Sequence, residues 1–306
     1  MKIVFLEPLG LPTAMIETAC SGLKQLGHEV VVFSDRDDNP KALKQRAAGA
    51  QVIVESNMPL RKDFFDACPD LKMLSIAFTG LDHIDTEECA RRDIVVKNAA
   101  GYSTEAVAEL ALAMMIDVYR KVIENEKITR GCNVKGIMPG REIGGKTVGI
   151  IGMGNIGQRV AQLLNAFGCE VLAWNRTAKT VSGVTFVDKA TLLRQSDIVT
   201  LHIALNSETR DFITADDLSM MKPSAILINT ARGPVVNEQD LANALGRGTI
   251  AGAATDVYGN EPPLQNNHPL LEAPNLVMLP HIGFATEEAF VLRLGIVVDN
   301  IEKWLR

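Results

Sequence analysis

The sequence predicts an α/β protein made of two doubly wound parallel-sheet domains in series. Short β-rich apolar runs alternate with helical patterns, which places parallel strands under flanking helices. These runs fall into two series, one before residue 98 and one starting at Lys146. A length of 306 residues is enough for two domains of ordinary size.

The first series reads KIVFLE, EVVVFS, VIVES, KMLSIAF and DIVVKNA, with helical patterns such as TAMIETACSGLKQLG between several of its members. The boundary is expected at residues 98–101, after the last of these runs. From Ala106 the segment AVAELALAMMIDVYR is strongly apolar but interrupted by Glu109 and Asp117. It falls short of the ~20 apolar residues of a membrane span and reads as a buried or interface helix. The second series is KTVGIIG, CEVLAW, DIVTLHI, AILINTA, GAATDV and NLVMLP. The closing segment TEEAFVLRLGIVVDNIEKWLR is a helix whose apolar face is wide enough to pack elsewhere. Two such domains normally leave a cleft between them, a common place for a ligand.

Composition narrows the function classes. Hydrophobic residues make up 47% and charged residues 22%, as in a soluble globular protein. A net charge of −6 supplies no basic field for nucleic acid or an anionic membrane, so neither is expected as a partner. The five cysteines, Cys20, Cys68, Cys89, Cys132 and Cys169, are scattered without a C-x-x-C pair. They read as reduced thiols of a cytoplasmic protein rather than disulfides or zinc ligands. The start MKIVFLEP lacks the long apolar run of a signal peptide.

The most informative stretch is VGIIGMGNIG at 148–157, an apolar strand stopped by Gly152, Gly154 and Gly157. A helical pattern and a second strand follow, the context that a dinucleotide-binding unit requires. The first glycine makes the turn, the second admits a pyrophosphate, and the third lets helix pack on strand. The helix start, at Asn155 and Ile156, offers free N–H groups and a positive dipole end to phosphates.

Three later strands end in polar groups: INTARGPVVNEQDL, TDVYGNEPP and LPHIGFAT. They supply Arg232, Asp256, Glu261 and His281. Each alone reads equally as a loop or turn residue. Together they are what carbonyl reduction beside a carboxylate requires. An arginine fork binds a carboxylate and polarises a carbonyl, and a histidine near its ordinary pKa exchanges a proton. A glutamate on its other nitrogen orients the ring and favours the imidazolium.

Carried by FTGLDHID (78–85), NAAGYSTEAVAEL (98–110), GGKTVGIIGMGNIG (144–157), LHIALNSETRDFI (201–213), NTARG, DVYGNEPP and PHIGFAT, the chain resembles the D-2-hydroxyacid dehydrogenase family over essentially its whole length. The resemblance implies a flavodoxin-like substrate domain, residues 1–98 plus 284–306. It also implies a Rossmann cofactor domain, residues 99–283, with a helix and arm at 102–140 that pair two subunits into a homodimer. His281 is then the acid/base, paired with Glu261, and Arg232 binds the substrate carboxylate and carbonyl. Thr79 and Gly80 offer backbone N–H groups to that carboxylate, and Asn57 lies with Met58 and Phe78 in loops expected to line the substrate pocket. Asp256 hydrogen-bonds the nicotinamide carboxamide. Besides the glycine loop, the cofactor is expected against Asn175, Arg176, Thr177, His202, Ala204, Thr209, Thr230, Ala231 and Gly283. No metal is expected.

One departure bears on the cofactor. The second strand of an NAD-binding unit normally ends in an acid that bonds the adenosine ribose, and here Asn175 stands there, followed by Arg176. A carboxylate would repel a 2′-phosphate; Asn175 does not, and Arg176 can pair with it. NADP(H) is therefore the expected cofactor. In the NAD(H) alternative Asn175 bonds the ribose hydroxyls and Arg176 faces solvent. Phe284, beside the histidine, is bulkier than the usual small residue. His28 and His268 read as solvent-facing, and His83 as a local hydrogen-bond partner. The expected activity is reduction of glyoxylate or hydroxypyruvate. The alternatives are an NADH-dependent D-lactate-type reductase and a non-catalytic NAD(P)-sensing co-regulator.

Overall fold

A computed structural model describes residues 1–131, 138–177 and 179–306. Cys132 and residues 132–137 of the expected arm lie outside the described residues. The chain divides into two compact units, Met1–Ser103 with Ala285–Arg306, and Thr104–Phe284.

The first unit holds strands β1 (Lys2–Phe5), β2 (Glu29–Val32), β3 (Val52–Glu55), β4 (Met73–Ile76) and β5 (Val95–Asn98). Its helices are α1 (Thr13–Ala19), α2 (Ser21–Gln25), α3 (Pro40–Arg46), α4 (Lys62–Asp66) and α5 (Thr86–Arg91). The sheet is parallel throughout, in the order β2-β1-β3-β4-β5. Every residue of β3 and β4 is buried, which is why these strands read as unbroken apolar runs rather than alternating ones. The strand order reverses between β1 and β3, so the segments after them mark this sheet's natural ligand position.

The second unit holds α6 (Thr104–Arg120), α7 (Val122–Arg130), β6 (Thr147–Ile151), α8 (Asn155–Ala166), β7 (Glu170–Trp174), β8 (Thr185–Phe186), α9 (Lys189–Gln195), β9 (Ile198–Leu201), α10 (Ala215–Met220), β10 (Ile226–Asn229), α11 (Glu238–Arg247), β11 (Gly252–Thr255) and β12 (Leu276–Met278). Its parallel sheet has the order β12-β11-β10-β9-β6-β7-β8. The order reverses where β6 lies beside β9, the dinucleotide-fold arrangement. Strand β8 is two residues long, too short to leave a periodic signal, and was not among the expected runs. Helix α6 buries Ala106, Val107, Ala108, Ala111, Met114, Met115 and Tyr119, one continuous face at helical spacing. By contrast α7 buries none of its residues.

The last helix, α12 (Glu287–Leu305), belongs to the first unit. Thr286 caps it by accepting the Ala289 N–H at 3.1 Å. Ala289, Arg293, Leu294, Val297, Val298 and Ile301 form its buried face. Ser75 in β4 donates to the Val297 carbonyl at 3.2 Å, and Asn300 donates to the Asn98 carbonyl at 3.1 Å. The first unit extends to Ser103, past the expected limit at residue 98. Residues 99–103 stay with it because Ala99 N–H donates to the Phe78 carbonyl at 3.0 Å and buried Tyr102 packs on the Phe78 ring.

Arg293 is 2% exposed. It donates to the Leu9 and Ala77 carbonyls and to Ser56 Oγ, with its guanidinium against the Tyr102 and Phe290 rings. Removing a buried charge that satisfies buried carbonyls costs far more than a surface change. Arg293→Met is expected to lower stability by about 3 kcal/mol, checked by urea denaturation.

Candidate active site

The glycine loop follows β6 and opens α8. Gly152 has φ +100°, and a Cβ there would lie 2.5 Å from the His202 carbonyl oxygen. At Gly157 a Cβ would meet the Gly152 carbonyl oxygen at 2.0 Å, so only glycine lets α8 sit this close to the loop. Gly154 is different. It caps α8, and a Cβ there would meet nothing within 4 Å. Two glycines are thus required by packing, while the third keeps open the space before the free N–H groups of a twelve-residue helix. That donor set fits a pyrophosphate.

At the end of β7 the Asn175 side chain is already engaged: its Oδ1 accepts the Met153 N–H at 3.0 Å and its Nδ2 donates to the Thr177 carbonyl at 2.8 Å. Asn175 therefore ties the second strand's end to the glycine loop. Arg176 lies on the surface, 3.3 Å from Glu208. Lys179, which sequence reasoning did not single out, donates to the Met153 carbonyl at 2.7 Å and brings a cation to the same loop.

After β9, His202 is partly buried. Its Nε2 stands 2.9 Å from Thr200 Oγ1, and its Nδ1 stands 3.5 Å from Thr230 Oγ1. Burial pushes its pKa down from 6.5 to about 4. The next turn is stitched by Asn206 and Thr209, whose hydroxyl donates to the Ala204 carbonyl at 2.7 Å. Ala204 and Thr209 are exposed or nearly so.

The arginine follows β10. Asn229 is buried, accepts the Ala231 N–H and donates to the Arg232 carbonyl, each at 3.1 Å, which folds the chain back at that point. Thr230 and Ala231 are buried, while Arg232 is half-buried and donates to the Ala231 carbonyl at 2.8 Å. A Cβ at Gly233 would lie 1.9 Å from the Tyr258 backbone carbon, so the Arg232 loop rests directly on the loop after β11.

That loop and the one after β12 carry the titratable pair. His281 Nδ1 lies 3.1 Å from Glu261 Oε1. His281 has φ +58°, the left-handed region that a side chain enters at a cost. Asp256, 1% exposed, accepts the N–H groups of Ile282 at 2.8 Å and Gly283 at 2.7 Å. Burial pushes the Asp256 carboxyl above its ordinary range, although these two amides and His281 pull the other way. A Cβ at Gly283 would come within 2.9 Å of Asp256 Oδ2. The Phe284 ring stands edge-on to His281, with centroids 5.7 Å apart.

In the first unit, Asn57 and Thr79 are exposed and Gly80 is half-buried. Asn57 Oδ1 accepts from Arg36 at 2.5 Å, leaving its amide N–H₂ as the outward donor. The loop is held from below: Glu7 accepts the Ser56 N–H and Glu55 the Met58 N–H, each at 2.7 Å. His83 bonds Glu55, fully buried and distant in sequence, at 2.9 Å. Its partner is thus not a local one. Asn98 donates to the Thr79 carbonyl at 2.7 Å. Among the described residues no group of three or more His, Cys, Asp or Glu stands close enough to hold a metal ion. His268 corrects the expectation of solvent exposure: its side chain is 8% exposed, enclosed by Tyr258 and Glu238.

A model of the D-isomer specific 2-hydroxyacid dehydrogenase NAD-binding domain matches residues 112–283. The chain belongs to the D-isomer specific 2-hydroxyacid dehydrogenase family. Members of this family are nicotinamide-dependent oxidoreductases acting on CH–OH donors. A glyoxylate reductase of Thermococcus litoralis is 37% identical over 92% of this chain and 89% of its own length. A glycerate dehydrogenase of Methylorubrum extorquens is 36% identical over 99% and 96%. Among solved structures, an acyclic imino acid reductase in complex with NADPH and D-Arg superposes with a TM-score of 0.90 at 31% identity, covering 100% of this chain and 97% of that one.

The low pKa of His202 makes this dehydrogenase acid-sensitive in a defined window. The folded state keeps the ring neutral down to about 4, whereas the unfolded chain takes the proton from 6.5 downward. Stability from this group is therefore complete above pH 6.5 and lost as pH falls toward 4. Between those limits the protein is expected to lose about 2 kcal/mol more than His202→Gln, a value reduced from the full shift because the residue is only partly buried. Urea titrations at pH 7 and pH 4.5 check it.

Proposed function

We propose that the protein reduces a small 2-oxo acid, glyoxylate or hydroxypyruvate best, to the 2-hydroxy acid of D configuration, and runs the reverse reaction. The observation that carries this reading is the His281–Glu261 pair at 3.1 Å, on a turn fixed by Asp256. When bound, NAD(P)H supplies the hydride for C2 of the acid. His281 gives its proton to the oxygen that becomes the hydroxyl, so one hydride and one proton convert C=O to CH–OH. Glu261, 3.1 Å from Nδ1, orients the ring for transfer. Arg232 pairs with the substrate carboxylate and polarises the carbonyl, and its charge stabilises the oxyanion. Thr79, Gly80 and Asn57 hold the carboxylate and the substrate's far end. Asp256 has lone pairs left beyond its two amide bonds and takes the nicotinamide carboxamide beside Gly283. Thr230, Ala231, His202, Ala204 and Thr209 wall the cofactor, and Gly152, Gly154, Asn155, Ile156 and Gly157 hold its pyrophosphate.

The preferred form of the cofactor is NADP(H), with Asn175, Arg176 and Thr177 at the adenosine ribose. The Arg176–Glu208 pair is exposed on both sides, and such pairs contribute only about 0–1 kcal/mol, so a 2′-phosphate readily draws Arg176 away. Lys179 on the glycine loop adds to the positive field.

The protein is proposed to act in the cytoplasm as a homodimer. Cys20, Cys68, Cys89 and Cys169 are free and buried, which suits a reducing compartment. No helix of the described chain is long and apolar enough to cross a membrane. Residues 102–140 are the proposed pairing segment, and α7 within it has no fully buried residue.

Loss of nicotinamide absorbance with a panel of 2-oxo acids tests the reading. Glyoxylate and hydroxypyruvate are expected to turn over fastest, and kcat/KM with NADPH to exceed that with NADH. Arg176→Ala is expected to cut that ratio about tenfold, and His281→Asn to lower kcat by about 100-fold or more. A ratio favouring NADH overturns the cofactor choice. Binding of both cofactors without turnover of any acid overturns the enzyme reading in favour of a nucleotide-sensing protein.

A further inference from the structure

We propose that Glu238 and His268 form a positioning pair that sets where Glu261 stands against His281. The proposal rests on the reading of Glu261 and His281 as the proton-transfer pair.

Glu261 is held loosely by its own contacts. Its side chain is 43% exposed, its Oε1 faces His281 at 3.1 Å, and the Tyr258 N–H reaches it at 3.4 Å. Both distances are long for bonds to a carboxylate. Pro262 and Pro263 follow and bring no N–H to pin the chain. The loop must be fixed from elsewhere.

Glu238, at the start of α11, reaches that loop. Its Oε1 accepts the Gly259 N–H at 2.7 Å, on the segment that leads to Glu261. Its Oε2 lies 3.2 Å from His268 Nε2, a close polar contact at an angle short of a hydrogen bond. The Leu270 N–H approaches His268 Nδ1 at 3.4 Å, which leaves the ring proton on Nε2, the nitrogen that faces Glu238. There is no slack around this contact: a Cβ at Gly259 would come within 3.3 Å of Glu238 Oε2.

The other face of His268 completes a circuit. Its ring meets Tyr258 edge-on, with centroids 5.9 Å apart, and the Tyr258 hydroxyl donates to the Leu279 carbonyl at 2.8 Å. Leu279 stands two residues before His281 in the chain. Glu238 and His268 therefore grip the Glu261 loop at Gly259 and, through Tyr258, the strand end that carries His281. A buried acid–base contact adds little net stability compared with apolar packing of the same volume. What this one supplies is a fixed distance between two loops.

The test reads the His281 ring directly, by long-range 1H–15N correlation spectra of the whole protein, with Glu261→Gln as the reference for a lost pair. Glu238→Ala is expected to move the His281 signals toward the Glu261→Gln pattern. It should also cut kcat about 10–100-fold, the usual effect of losing an outer partner, while the KM for NADPH holds. Glu238→Gln keeps an oxygen for the Gly259 N–H and is expected to recover most of the loss. Wild-type His281 signals in folded Glu238→Ala overturn the proposal. If Glu238→Ala does not fold, His268→Phe, which keeps a ring against Tyr258 but has no N–H, decides by the same spectra. A wild-type protein that turns over no 2-oxo acid, yet whose His281 signals follow Glu238→Ala, overturns the proposed reaction and upholds the pair.

Discussion

The site depends on one carboxylate with two hydrogen bonds. Asp256 takes the N–H groups of Ile282 and Gly283, and this holds His281 in a left-handed conformation. Such a conformation costs a non-glycine residue about 1–3 kcal/mol. Two hydrogen bonds to a charged group contribute about 1.5–3 kcal/mol each. The clamp therefore exceeds the strain, and the turn persists. Asp256 is itself anchored, its N–H donating to the Asn229 carbonyl at 3.0 Å, and the Leu279 N–H donates to the Thr255 carbonyl at 2.9 Å, so the ends of β10, β11 and β12 are tied together.

The same logic organises the cofactor end. Gly152 and Gly157 are fixed by close backbone approach, and Asn175 ties the end of β7 to Met153. Only Gly154 is open, and it is open where the N–H groups of α8 point. The glycine loop and the His281 turn of the second unit are thus built in the same way: backbone amides beside tightly packed glycines, held by a side-chain acceptor, Asn175 in one and buried Asp256 in the other. In the first unit Glu7 and Glu55 do the equivalent work beneath the Asn57 loop, accepting its Ser56 and Met58 amides, while Arg293 donates to the Ser56 hydroxyl.

Much of this was legible in the sequence because its signals are local. Central strands such as β3, β4, β9 and β10 are buried throughout, so their apolar runs stand out against polar turns. The glycine loop announces itself through spacing, and Arg232, Glu261 and His281 follow strand ends. What escaped is long-range. Residues 99–103 join the first unit through Phe78. His268 sits in the polar stretch QNNHPL, and nothing there shows that Tyr258 and Glu238 enclose it. His83 finds Glu55 across the sheet rather than along the chain. Nothing in the sequence sets Lys179 apart, and Asp256 was read for a ligand role without its structural one.

The most direct measurement is amide hydrogen exchange at Ile282 and Gly283 in the wild type and in Asp256→Ala. If the carboxylate holds the turn, both amides exchange slowly in the wild type and much faster in the variant, while amides of β6 and β9 keep their protection. Equal exchange at Ile282 and Gly283 in the two proteins would show that the turn holds itself, and the account of how His281 is positioned would be wrong.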